Sequence, residues 1–475
     1  MNVAATFYHN FMNNKIFFFV CMTLMISSAQ MFGQATFMSV TNGNWNNNGT
    51  WILTSGADAD GIPDANDTVR IGLIQNDIVT VDASLNGTCA WLQIGSSVTA
   101  TSGALVFASN TSALHIKLLT IYQSTDTLLR AVNVGAGNLT IDSIVTFEAM
   151  DTTANKKTLL QISTGVVSVK NNIIFHASNA SNALLDMSAG AGQLKLGGSF
   201  ILDSVGTLTT SGLGSIINFN GTTTQTIALD LSGIVYENVY VNNTSATGAV
   251  ISNNITTANI TGDLRIQVGK LNTSTYTITG NGTKSFTIDS GGVIVIGEGT
   301  STNGFPSGYG TFTLDDASTV TYAGGNQTVA AIAGGYGNLT LESGANSSTK
   351  SLPAGIITIL GNFTIQQGAG VSVFASANNS LTISKNVTIG NGAVLSFGNF
   401  LHTVGGNWIN NGGIFSPGQS TVTFNSATTQ TISGPFFKNI IFTGSGKKIA
   451  SSALGISGNL TISARDTFSA GSFDH

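Results

Sequence analysis

The stretch Val422-Thr423-Phe424-Asn425-Ser426-Ala427-Thr428-Thr429-Gln430-Thr431-Ile432, followed by Lys438-Asn439-Ile440-Ile441-Phe442, is one of three related copies in this chain. Ile217-Asn218-Phe219-Asn220 leading to Gln225-Thr226-Ile227 is another, and Val320-Thr321-Tyr322 leading to Gln327-Thr328-Val329 is the third. The Gln residues stand at 225, 327 and 430, steps of 102 and 103. The Asn of the following strand stands at 238, 338 and 439, steps of 100 and 101. Gly262-Asp263-Leu264, Gly361-Asn362-Phe363 and Gly458-Asn459-Leu460 keep step at 99 and 97. Three landmarks at nearly constant spacing define an array, and an array decides the fold before composition does.

The text between the landmarks is short strands. In Gly-Asn-Leu-Thr-Ile, Leu and Ile share one face and Asn and Thr the other, because side chains alternate across a strand. Gly280-Asn281-Gly282 and Gly390-Asn391-Gly392 are expected to supply positive φ at corners. Only 5 Pro among 475 residues leaves the backbone N–H groups free for ladders. The motif recurs within one long unit, at 361–365 and as Lys385-Asn386-Val387-Thr388-Ile389. That favours coils of ~20–25 residues, ~18–22 in all, over a core closed within each repeat. The predicted fold is all-β, a right-handed parallel β-helix (solenoid) with an N-terminal β cap. Tandem β-sandwich repeats of ~100 residues are the competing reading.

Charged residues are only 8% of the chain, against about 25% in ordinary soluble proteins. With 42% apolar residues alternating with Thr, Ser and Asn, the chain is not composed as a disordered one. A diffuse net charge of −5 gives no footprint for nucleic acid. Residues 1–35 read as a targeting segment: Lys15 precedes an apolar run from Ile16 to Ala29, with small residues at Ser27, Ala29, Gly33 and Ala35 for cleavage. Its removal takes the net charge from −5 to −6 and leaves Cys89 as the one thiol, so no internal disulfide is expected. No later segment approaches the ~20 apolar residues of a spanning helix. The expected location is secreted or at the cell surface.

Residues 36–107 differ from the rest. Gly43-Asn44-Trp45 and Gly49-Thr50-Trp51 open them, then Gly61-Ile62-Pro63, Asp67-Thr68-Val69-Arg70-Ile71 and Val79-Thr80-Val81-Asp82. This order resembles the eight-glycine domain and related openings of Bacteroidetes surface proteins, a resemblance that implies the cap of a parallel β-helix. Residues 108–216 hold irregular β coils without a clear long repeat; Leu114 to Val132 has some helical spacing, but Ile121, Tyr122 and its threonines favour strand. Residues 217–475 hold the array. Its Gly-Asn-Trp-Ile-Asn-Asn-Gly-Gly (406–413) and Thr-Gln-Thr-Ile-Ser-Gly elements are similar to repeats of large Bacteroidetes adhesin-like proteins. Lys385 to His402 aligns with Gly458 to His475 at an offset of 73, so the array is expected to continue beyond residue 475. Self-association through an open C-terminal end is expected with it.

The densest polar cluster runs from Asp58 to Asp67, with Asp58, Asp60, Asp64 and Asp67 spaced around Gly61. Oxygens so spaced suit Ca²⁺, which takes six to eight of them. The text is similar to the thrombospondin type-three calcium repeat, with Gly56 where that motif has its first Asp. The bland alternative is a solvated turn between strands. Gly444-Ser445-Gly446-Lys447-Lys448 lacks the first Gly and the final Ser or Thr of a phosphate loop and reads as a turn. His115, His176, His402 and His475 have no zinc-helix spacing. A β-helix lyase or hydrolase needs acids converging on one face. Asp230, Asp263, Asp289, Asp315 and Asp316 are spread along the array, so no catalytic residue is assigned. Trp45, Trp51, Trp91 and Trp408 are candidates for stacking on sugars or for burial. The expectation is a non-catalytic surface rod that engages polysaccharide or cell-surface components through repeated weak contacts. A β-helix enzyme acting on polysaccharide is the alternative.

Overall fold

The structure is a computed structural model and describes residues 35–473 apart from 211, 230–232, 369–371 and 435. The segment read as a targeting sequence (save Ala35), Asp230 and His475 lie outside the described residues. Among the latter the elements are β-strands and one 3-10 turn, Asn48–Thr50, and no helix is long and apolar enough to cross a membrane. Among the described residues strand pairing is parallel, except where Thr36–Ser39 meets Trp51–Ser55 antiparallel. Parallel pairing between successive coils excludes tandem sandwiches, whose sheets are antiparallel. The fold is a parallel β-solenoid. The chain divides into two units: the described residues to Val169 with Ile173–Asp186 and Leu202–Thr207, and Lys170–Asn172, Met187–Ile201 and the remainder from Leu208.

In the first unit, Trp51–Ser55 forms the sheet edge beside Thr36–Ser39, as a cap does. Trp45 and Trp51 pack edge to face beneath it, and Trp51 Nε1 donates to the Trp45 carbonyl at 2.8 Å. Of the stretch Leu114 to Val132, the residues to Tyr122 and from Arg130 on are strand, and a bend at 123–129 separates them. Coils here are longer than expected: Asn86 stacks on Ala113, Ala113 on Asn138 and Asn138 on Val166, steps of 27, 25 and 28. The number of coils is correspondingly lower than the sequence suggested. Coils are therefore present before residue 217, as expected there, with a period of 25–28 residues that the sequence reading did not recognise. Inside, Phe147 lies flat on Phe175 with ring centroids 4.8 Å apart, the spacing of neighbouring strands.

In the second unit the chain visits three faces in a fixed order. Leu264–Ile266, Gly269–Asn272 and the bridge from Ile255 to Ile278 represent them early on. Ile357–Ile359, Phe363–Gln366 and Val373–Ser376 represent them later. The 102-residue repeat is not a whole number of coils. Its Gln strand lies in the twelve-stranded sheet at Gln225–Ile227 and Gln430–Ile432, but in the five-stranded sheet at Gln327–Thr328. What repeats is a local device: one short coil, in which Ile216 stacks on Asn238, Thr319 on Asn338 and Thr421 on Asn439, wherever it falls.

The landmarks are the fasteners of that device. Asn238, Asn338 and Asn439 each accept, through Oδ1, the backbone N–H of Asp263, Asn362 and Asn459 in the next coil, at 2.8, 2.9 and 3.0 Å. Their Nδ2 atoms donate to the carbonyls of Ser215, Ser318 and Ser420 in the coil before. A Cβ on Gly262, Gly361 or Gly458 would run into the same Oδ1, which is why Gly precedes each recipient. The rungs continue from Asn362 to Asn386, Asn407 and Thr431. Each buried Gln brackets its own turn to the preceding coil. Gln225 Nε2 donates to Leu196 and Gly198, Gln327 to Ile296 and Asn303, and Gln430 to Val404 and Gly406. Above Gln327 sits Lys350, fully buried, its Nζ donating to Gly324 O, Gly325 O and Gln327 Oε1. Lys448 stands in the same register above Gln430 and binds Ser426 and Gly446 carbonyls. In the first copy the Asn243 amide supplies the donor to Gln225.

Leu264 and Phe363 point inward and are fully buried, as their shared position requires. Leu460 pairs in register with buried Ile440 but is 41% exposed, its strand being the edge of the six-stranded sheet among the described residues. Of the four corner glycines expected to take positive φ, only Gly392 does, at 68°. Gly280 is small for another reason: a Cβ there would enter the Tyr309 ring.

Two outcomes are expected. Gly361→Ala should cost ~1–3 kcal/mol by crowding the Asn338 amide, and Asn338→Ala ~1–3 kcal/mol by leaving buried groups unpaired. Because both act through one oxygen, chemical denaturation of the double variant should show clearly less than the sum; strict additivity would break the link. Burial pushes the Lys350 ammonium down from 10.5 to about 7, with Glu342 pulling weakly upward. The folded chain therefore holds fewer protons than the unfolded one between those values. Stability should rise as pH increases from about 7 to 10.5 by up to ~1.4 kcal/mol per unit. Lys350→Met should remove that slope.

Candidate functional site

The aspartate loop holds itself together by Asx turns. Asp58 Oδ1 accepts from Asp60 N and Gly61 N, Asp60 Oδ1 from Ile62 N, and Asp64 Oδ1 from Asn66 N. Asp67 is buried and ties the loop to the first strand, accepting from Ala35 N at 2.9 Å and from Asp64 N at 2.7 Å. Burial raises its pKa, the two backbone bonds lower it, and Asp64 and Asp58 add to the rise. Of the four predicted ligands, Asp58, Asp64 and Asp67 place carboxylate oxygens within 4.8 Å of one another. Asp60 is not in that group. Three carboxylates are fewer than the six to eight oxygens calcium takes, so water or carbonyls would complete the shell.

A second cluster lies on the outward face of the first unit. Arg70 Nε donates to Gln93 Oε1 at 2.7 Å, and the Trp91 indole donates to Thr120 Oγ1 at 3.0 Å. Tyr122, Glu148 and His176 follow one another in register on adjacent strands. His176 Nδ1 sits against Asp203 Oδ2, which leaves Nε2 free for other chemistry. Beside them is a cleft of about 360 Å³ lined by Ser97, Tyr122, Gln123, Ser124, Thr125, Glu148, Met150 and Asp151. Lys156 bonds to Asp151 at 2.5 Å and holds its carboxyl well below the usual range.

Sequence reading looked for converging acids only along the array and missed this stack. The signal was Phe147-Glu148 and Phe175-His176, 28 residues apart, with Asp203 27 residues further on. Trp91 is the one tryptophan with its ring partly exposed; Trp45, Trp51 and Trp408 are buried. His402 is interior, stacked on Phe397 and accepting from Leu381 N, and burial takes it down to about 4. Burial likewise pushes the Cys89 thiol up, making it a poor nucleophile. Lys447 and Lys448 start a strand after the turn at Gly444 and Ser445, so no phosphate loop forms.

The second unit presents ruled outward rows. Thr340, Thr364 and Thr388 stand on successive strands of the twelve-stranded sheet, in register with Thr321, which is itself buried. Thr358, Thr382, Thr403 and Thr423 do the same on the six-stranded sheet. Parallel strands set such rows at a repeat of about 4.8 Å. Each threonine offers a hydroxyl and a methyl, held stiff at χ1 by its branched Cβ.

No protein family, no curated protein and no solved structure matches this chain.

For the aspartate loop, a bound calcium ion would make the melting temperature fall in EDTA. Asp64→Asn should abolish that response, whereas Asp60→Asn should leave it intact. Equal melting with and without EDTA would remove the ion.

Proposed function

We propose that this chain is an exported surface rod that binds glycans by many weak, repeated contacts and does not turn them over. The observation that carries this reading is the pair of in-register threonine rows, three accessible residues (Thr340, Thr364 and Thr388) in one and four (Thr358, Thr382, Thr403 and Thr423) in the other. A row of identical groups offers the same contact at every coil, so affinity accumulates along the rod rather than in one pocket. Low charge supports the same view: at 8% charged residues, an ionic partner has little to grip. The apolar run from Ile16 to Ala29 supports export. In this reading Asp58, Asp64 and Asp67 hold a calcium ion that braces the cap.

A second reading, a β-helix enzyme cleaving polysaccharide, is favoured by Glu148 beside the His176–Asp203 pair at the edge of a cleft. In that case His176 Nε2 and Glu148 would exchange the protons that bond cleavage requires.

One experiment separates the two. The chain is applied to a glycan array at high and low ligand density, and the bound glycans are assayed for new ends or unsaturated products. A rod predicts retention that rises steeply with density and no product. Product formation that disappears in Glu148→Gln and His176→Ala would establish the enzyme instead.

A further inference from the structure

The five-stranded sheet of the second unit differs from the threonine faces. Its outward side carries two columns. Thr349, Phe374, Val394 and Ile414 stack in register as one, and Ser351, Ser376, Ser396 and Ser416 as the other. Phe374 is 43% and Ile414 63% exposed, and both project from strands whose inward residues, Val373 and Phe415, are covered. An apolar stripe beside a hydroxyl stripe is the complement of a pyranose chain, which shows C–H faces and hydroxyl edges. From residue 351 to 437 the only charged side chain is Lys385, and it lies between the strands Leu381–Ile383 and Val387–Ile389 of the other two sheets.

The stripe leads to a groove of about 360 Å³ lined by Asn410, Gly412, Gly413, Ser433, Gly434, Ser452 and Ala453. Small uncharged side chains form its walls, and exposed Ile414 and Phe436 follow its Gly413 and Gly434 in sequence. Beneath Gly434 lies the fully buried Trp408, whose indole N–H has no hydrogen-bond partner. A Cβ on Gly434 would stand 3.2 Å from that nitrogen, so a glycine of the groove wall lies directly against an unspent donor. A buried donor left unpaired costs free energy, and a ligand hydroxyl that reaches it gains a bond already desolvated.

We propose that this face and groove form the seat of a neutral polysaccharide chain, with sugar faces on Phe374 and Ile414 and one hydroxyl directed to the Trp408 indole. The proposal rests on the glycan-binding reading above and assigns it a face and a ligand class: uncharged, and polymeric enough to span the column.

Affinity electrophoresis of the full chain through gels containing hydroxyethylcellulose or laminarin, with alginate as the acidic counterpart, tests it. Retardation is expected in at least one neutral polymer and not in alginate. Phe374→Ser with Ile414→Ser should reduce that affinity about tenfold, as loss of an exposed anchor does. Gly434→Val, whose side chain would stand against the Trp408 indole and shield its N–H, should reduce it separately and abolish the quenching of Trp408 fluorescence expected on titration with a neutral oligosaccharide. Melting curves of all variants establish folding, and the fluorescence readout is kept for variants that melt like the parent. Retardation by a neutral polymer that persists unchanged in every variant would overturn this seat while leaving glycan binding intact. Retardation by alginate alone would overturn the neutral ligand, and no retardation in any gel would overturn both readings. Sedimentation that shifts from dimer to monomer in Phe374→Ser/Ile414→Ser, with retardation unaltered, would assign the stripe to a second copy instead.

Discussion

A parallel coil satisfies its backbone only through the coils on either side of it, so register between coils is the constraint on which everything else depends. A strand slipped by one residue would send its apolar set outward and its threonines inward. In this chain charge does little to prevent slippage. The work falls to amides: Asn238, Asn338 and Asn439 each bond the coil before and the coil after. The Gln residues bracket the turns in the same manner. Each such bond is worth only about 1 kcal/mol net. Their value lies in geometry, since an amide has one donor side and one acceptor side and fits a stack in a single direction.

That division of labour explains why the long repeat ignores the coil. A device of one short coil, one Gln bracket and one Asn rung is complete in itself, so it works on any of the three faces. Lys350 and Lys448 show how far the device tolerates change. An ammonium donates to turn carbonyls beside Gln327 and Gln430, whereas an Asn amide serves beside Gln225. Arg130 plays a comparable part in the first unit, its guanidinium donating to the carbonyls of Ser96, Thr99 and Thr101, with burial lowering it to about 10. Buried Lys350 and Arg130 solvate the turns from within through carbonyls, whereas buried Lys448 also faces the Asp466 carboxylate at 3.5 Å.

Much of this was legible from period and alternation. Leu264, Phe363 and the outward threonines follow from period two, and the three landmarks declared the solenoid before any contact was known. What stayed hidden depends on neighbours a coil away. Gly280 reads as a corner but is small because of Tyr309, and Leu460 reads as core but stands on a sheet edge among the described residues. Asp60 has the spacing of a ligand, yet its carboxylate turns to Ile62 N. Glu148, His176 and Asp203 are scattered in sequence and become one cluster only once coils of 27–28 residues are recognised. The serine column was equally invisible, because its members belong to four different turns of chain.

Stacking in register is open to a direct chemical test. Ser376 and Ser396 occupy facing positions on adjacent parallel strands, and Ser416 lies one coil further on. Adjacent strands stand about 4.8 Å apart, within reach of a disulfide, whereas two steps exceed its span of roughly 7 Å. Cys89 is buried and does not compete. Mild oxidation of Ser376→Cys/Ser396→Cys should give an intramolecular disulfide in high yield, detected as the mass loss of two hydrogens and a bridged tryptic peptide, and Ser376→Cys/Ser416→Cys should give none. Efficient bridging of the second pair, or none in the first, would contradict the parallel solenoid.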